Sequence, residues 1–165
     1  MSRRRGSALL EFTFVGVPVV FLTISIVTAA IGAWQFTTME YAIQVTNRYI
    51  STHGRGCSQN GNSCTLTLGQ VTTMISQQAL ALDGSKLSVT LTTASSSRTC
   101  NPINTCTSSS DQFPSSTDNG VNQDVTILAT YPIANPAIIF WPGAGRSSAG
   151  GYFNLSATTR QRIQF

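Results

Sequence analysis

Residues 12–36 read FTFVGVPVVFLTISIVTAAIGAWQF, and this stretch decides the fold. It carries no charge, and only Thr13, Thr23, Ser25, Thr28 and Gln35 bring polar side chains. As an α-helix it would be about 37 Å long at 1.5 Å per residue, enough to cross a hydrocarbon core of roughly 30 Å. The Ser and Thr hydroxyls can bond back to carbonyls of the same helix, so they cost little in lipid. Trp34 stands near the far end, where an indole favours the membrane–water boundary. Arg3, Arg4 and Arg5 precede the segment. By the positive-inside rule the N-terminus is expected in the cytoplasm and the rest of the chain outside. A cleaved signal peptide is the competing reading, with small-residue sites at 28–30 or 31–33. The apolar stretch is too long for a usual h-region, and Glu11 stands where that region should begin.

The composition disfavours a cytosolic enzyme. The chain has 165 residues, 10% of them charged. Its ten Lys and Arg against six Asp and Glu give a net charge of +4. Without the three leading arginines seven basic groups remain, so the body is almost neutral. That excludes the broad basic face of a nucleic-acid binder. One histidine, His53, excludes a mechanism or metal site that needs two.

Glu11 is the informative charge. A carboxylate within a lipid-exposed helix is costly and calls for a partner. If the chain is cut between Gly6 and Ser7, Ser7 carries a free amine and Glu11 becomes the fifth residue. The two then lie one helical turn apart. In a packed assembly one subunit's carboxylate could neutralise the next subunit's amine. A snorkelling carboxylate at the interface is the plainer alternative.

The order Arg3-Arg4-Arg5-Gly6, then Ser7-Ala8-Leu9-Leu10-Glu11-Phe12, then an apolar helix with Pro18, resembles a class III prepilin-like cleavage motif. It is most similar to the TadE/TadG-like minor pseudopilins of tight-adherence (Flp) pilus systems. The resemblance places Gly6 at the cleavage glycine, Glu11 at the fifth mature residue, Phe12 at the aromatic that follows and Pro18 at the helix proline. It departs from the family where an Ala-Ala-Arg…Ala-Arg segment is expected, since Asn47-Arg48…Arg55 lacks the alanines. The stretch from Asp124 to Pro132 and the run Leu155-Ser156-Ala157-Thr158 resemble the family again. The resemblance implies a non-catalytic, membrane-anchored component of a pilus assembly or secretion apparatus, with its head in the periplasm and its helix in the bacterial inner membrane. A prepilin peptidase, other pilins or pseudopilins, an inner-membrane assembly platform and lipid are the implied partners. A secreted or anchored extracellular binding protein, such as an adhesin, is the alternative.

Beyond the apolar run, Met39, Ala42, Ile43, Tyr49 and Ile50 keep helical spacing, while Glu40, Gln44, Asn47, Arg48 and Ser51 fall on other faces. One helix over about residues 8–52 is expected, bent at Pro18 and ended by Gly54 and Gly56. Thr67 and Gln70 read as a capping box. Val71, Met74, Ile75, Ala79 and Leu82 then form one face of a second helix that Asp83-Gly84 closes. Leu87, Val89 and Leu91 alternate with polar residues as one strand. Val125, Ile127, Ala129 and Tyr131 make another. A third alternates from Phe153 through Leu155, Ala157, Thr159, Gln161 and Ile163 to Phe165. The expectation is an α+β protein: a long transmembrane helix running into a small head with one further helix and an antiparallel sheet of about three strands. Residues 1–6 would be the leader, 7–53 the helix and 54–165 the head.

Two loops stand out. Residues 94–123, thick with Ser, Thr, Asn and Gly, read as a variable or disordered loop. Residues 132–151 contain Ile138-Ile139-Phe140-Trp141-Pro142, read first as a cover for the sheet and otherwise as a contact with a partner or membrane. The four cysteines form two local pairs, Cys57–Cys64 and Cys100–Cys106, which suit disulfides in an oxidising compartment. The spacing within each pair is too wide for an ordinary four-Cys zinc site. No nucleotide-binding, zinc-protease or nucleophile-elbow motif is present. Asp111, Asp118 and Asp124 lie in or beside the polar loop without a catalytic context. No cofactor and no catalytic residue is expected.

Overall fold

The computed structural model describes residues 5–55, 57, 64–134 and 152–164, with backbone only at 5–9, 134 and 152. Helix α1 spans Arg5–Thr52 without interruption, with Pro18 inside it. Helix α2 spans Leu68–Gln78. Strands β1 (Ser88–Thr92), β2 (Ser97–Cys100), β3 (Asp124–Ala134) and β4 (Tyr152–Arg162) form one antiparallel sheet in the order β2-β1-β3-β4. The protein is α+β, with four strands where three were expected.

The two halves of α1 have opposite environments. From Leu10 to Trp34 its large apolar side chains are exposed, including Phe12 and Phe14 at 78%, apart from the half-buried Ile24. From Met39 onward one stripe is buried: Met39, Ala42, Ile43, Thr46, Asn47 and Ile50. These positions recur every three or four residues, the spacing that brings side chains onto one helical face. Asn47 and Ser51 therefore belong to the inward face and not to the other faces on which the sequence reading put them. Tyr49, placed on the apolar stripe, lies at its rim and stacks on His53 with ring centroids 3.9 Å apart.

α2 begins as expected. Thr67 accepts from the Gln70 backbone N–H, and the Gln70 side chain accepts from the Thr67 N–H. Each bond satisfies a donor that a helix start would leave orphaned. The helix stops earlier than Asp83-Gly84, with Ala79 as its C-cap. Val71, Ile75 and Ala79 are buried in the same core as the α1 stripe and the inward sheet residues Val89, Leu91, Val125, Ile127, Ala129 and Ala157.

The β3–β4 register pairs Asp124 with Arg162 and Ile133 with Phe153. The inward parity of β4 agrees with the sequence reading: Ala157 and Ile163 are buried, whereas Phe153 is 62% exposed at the strand's start. Phe165 lies outside the described residues, as does the reading of Ile138-Ile139-Phe140-Trp141-Pro142 as a sheet cover or partner contact.

Residues 94–123 are an ordered part of the head, which corrects the expectation of a disordered loop. Ser97–Cys100 pairs with β1, and a 3-10 turn follows at Ile103–Cys106. Ile103 and Phe113 are buried at 0% and 2% exposure. Backbone bonds stitch the segment to distant parts: Ile103 N–H to Leu87 O, Phe113 N–H to Leu66 O and Arg55 N–H to Asn119 O. Its polar composition hid this, because the ordering comes from two apolar anchors and from hydrogen bonds to residues far away in sequence.

Candidate functional site

The candidate site is the first half of α1. Gly6 and Ser7, the expected processing pair, lie in helical backbone. Ser7 and Glu11 stand four residues apart along that helix. Glu11 and Phe12 are exposed. None of the most apolar window of this helix is buried against the rest of the chain, and its length and composition suffice to cross a membrane.

Five of its hydroxyls are satisfied within the helix. The hydroxyls of Thr23, Ser25 and Thr28 donate to the carbonyls of Val19, Phe21 and Ile24 at 2.7–2.8 Å. Thr37 and Thr38 both donate to Trp34 O, at 2.9 and 2.8 Å. These hydroxyls thus leave no unpaired donor on the exposed apolar surface, and a donor without a partner is costly in apolar surroundings.

The second half of α1 couples this segment to the head. Asn47 Nδ2 reaches Val125 O and Thr159 Oγ1, each at 3.4 Å, so one buried amide ties the helix to β3 and β4. Ser51 Oγ lies 3.3 Å from Gln161 Oε1, and Gln164 N–H donates to Ser51 O at 3.0 Å. The sequence alone did not single out Asn47, although an Asn at helical spacing within an apolar run is the available signal.

Both expected disulfides are present, with Cα–Cα distances of 5.6 Å for Cys57–Cys64 and 5.7 Å for Cys100–Cys106. All four cysteines are used in them, so thiolates for a zinc site do not remain. Cys57–Cys64 joins two described residues that follow α1. Cys100–Cys106 ties β2 to the 3-10 turn.

The three aspartates have separate settings. Asp111 is exposed. Asp118 is buried and accepts from Ser95 Oγ at 2.6 Å and Thr93 Oγ1 at 2.5 Å. These hydroxyls, Ser95 first, hold its carboxyl below the usual carboxylate range against the opposing effect of burial. Asp124 pairs with Arg160 at 2.6 Å and Arg162 at 3.4 Å, and the Arg160 hydrogen bond lowers its pKa. A groove between α1, α2 and residues 107–110 is lined by polar residues such as Thr67, Gln70 and Ser109 together with Tyr49, Leu66 and Met74.

No protein-family model, curated protein or solved structure matches this chain.

Proposed function

We propose that this protein is a pseudopilin-like, membrane-anchored, non-catalytic component of a pilus assembly or secretion apparatus. The observation that carries the reading is the division of α1. Its first half exposes an uncharged apolar surface of membrane-spanning length, and its second half is the central helix of a disulfide-linked head. That is the shape required of a subunit that anchors in lipid, packs its helix with others and displays a domain outside. The resemblance at Gly6, Glu11, Phe12 and Pro18 supplies the specific class. On this reading a prepilin peptidase cuts between Gly6 and Ser7 on the cytoplasmic side of a bacterial inner membrane. The head lies in the periplasm, where the two disulfides form. Other pilins or pseudopilins and an inner-membrane assembly platform receive the processed helix.

N-terminal sequencing of the mature protein tests this. Ser7 is the expected first residue, and Gly6→Leu should leave a longer precursor, because a side chain there crowds the peptidase's approach to the backbone. A mature chain that still begins at Met1 or Ser2 would sink the processing claim. A soluble mature chain beginning near Trp34 would support a secreted binding protein instead.

A further inference from the structure

The β3–β4 hairpin runs antiparallel down α1. Val125 is tied to Asn47 at one end. At the other, Ile133 Cδ1 lies 3.7 Å from where a Cβ on Gly32 would stand. The helix covers about 22 Å between those two levels and the strand about 26 Å, so the strand follows the helix with a tilt. A hydrocarbon core of roughly 30 Å takes about 20 helical residues. Counted from Phe12, it ends next to Gly32. Ile133 is therefore level with the edge of the hydrocarbon, although it belongs to the head.

The chemistry at that end suits lipid. Phe153 is the cross-strand partner of Ile133 and so shares its sheet face, and it is 62% exposed. Trp34, two residues beyond Gly32 on the helix, is also 62% exposed. Charged residues are absent from α1 between Glu11 and Glu40, and the described parts of the hairpin carry none between Asp124 and Arg160. Among the described residues of the hairpin the charges, Asp124, Arg160 and Arg162, gather at the opposite end. An aromatic and an aliphatic side chain beside an interfacial tryptophan, with charges held away, match what the headgroup–acyl boundary accepts.

We infer that the Ile133–Phe153 end of the hairpin rests in the lipid interface and gives the head a second membrane contact besides α1. The inference rests on the reading of α1 as a membrane span. Two contacts fix the head's tilt and rotation on the bilayer, which one helix leaves free.

The test uses the full-length chain in phosphatidylcholine vesicles whose acyl chains are brominated near their carbonyl ends. Phe153→Trp in a W34F/W141F background reports on the hairpin end. Val121→Trp in the same background reports on the opposite end, since the neighbouring Asn122 N–H bonds to Ile163 O beside Ser51. A W141F chain, with Trp34 as its sole indole, reports on the span. The expected result is loss of most emission at Trp34 and at position 153, with position 121 unaffected. Quenching at Trp34 without quenching at position 153 would overturn the hairpin contact alone. No quenching at Trp34 would overturn the span itself. Equal quenching at 153 and 121 would also overturn the proposal, because the head would then touch lipid without preference.

Discussion

Single residues carry the junctions of this molecule. Asp118 joins the β1–β2 turn to the segment before β3 through Thr93 and Ser95. Its folded pKa is lowered. Its contribution is therefore fully present above the unfolded value, about 3.9, and is lost as pH falls through the lower folded value. The urea midpoint should stay level from neutral pH down to about pH 5 and drop below about pH 4, with a shallower drop in Asp118→Asn. An identical acid profile in that variant would remove Asp118 from the account. Asp118→Ala should cost about 1–3 kcal/mol at neutral pH, because the hydroxyls of Thr93 and Ser95 lose a charged acceptor. Gly69 is a steric junction. A Cβ there would stand 2.6 Å from Thr107 O and 2.7 Å from Ser109 O, both backbone atoms that cannot swing away. Gly69→Ala should destabilise the head by about 1–3 kcal/mol in denaturant titration, even though alanine favours helices elsewhere. Neither residue was legible as special. Asp118 looks like any loop aspartate until Thr93 and Ser95 fold against it, and Gly69 looks like a weak point in a helix until residues 107–109 pack over it.

Elements differ in how much of their stability is their own. The exposed half of α1 needs no neighbour to keep its hydrogen bonds, and even its hydroxyls bond back within the helix. β2 is the opposite case. Its four residues are mostly exposed and rely on pairing with β1, hydroxyl contacts such as Thr90–Thr99 and the Cys100–Cys106 bond. Replacing both cysteines by serine should cost about 2–2.5 kcal/mol in the loop-entropy model. Hydrogen exchange should rise first at residues 97–106, before the β3–β4 ladder. Uniform loosening of the whole sheet would argue against a local role. At the other edge, Ile163 is buried and its N–H donates to Gln123 O. Deleting residues 161–165 should remove roughly 1.5–3 kcal/mol of burial at Ile163 and leave a membrane-inserted but protease-sensitive protein. A truncated head that resists protease as well as the full chain would show that this end does not close the core.

The whole molecule is one helix in two settings, an exposed apolar half and a half packed in the head. Glu11 lies on the exposed half, away from the head's core, so under the proposed function Glu11→Ala should leave membrane insertion and head stability unchanged. Membrane fractionation and head protease resistance would check both. Under the proposed function the same variant should lower crosslinked complexes with partner subunits, since a neighbouring amine loses its counter-charge. Normal crosslinking would refute the pairing. The amino-acid order by itself determined the parts whose physics is local. The apolar run over 12–36 follows from composition and length, the capping box from Thr67 and Gln70, the cysteine pairs from short closure, and the facing of β4 from its period of two. The tertiary structure alone decided what depends on distant neighbours. It turned Asn47 and Ser51 inward, because β3 and β4 offer them partners 78 to 112 residues away. It also made a strand and an ordered path of residues 94–123, whose polar side chains have little drive to collapse. That segment is held by hydrogen bonds and two buried anchors whose partners only the complete fold brings within reach.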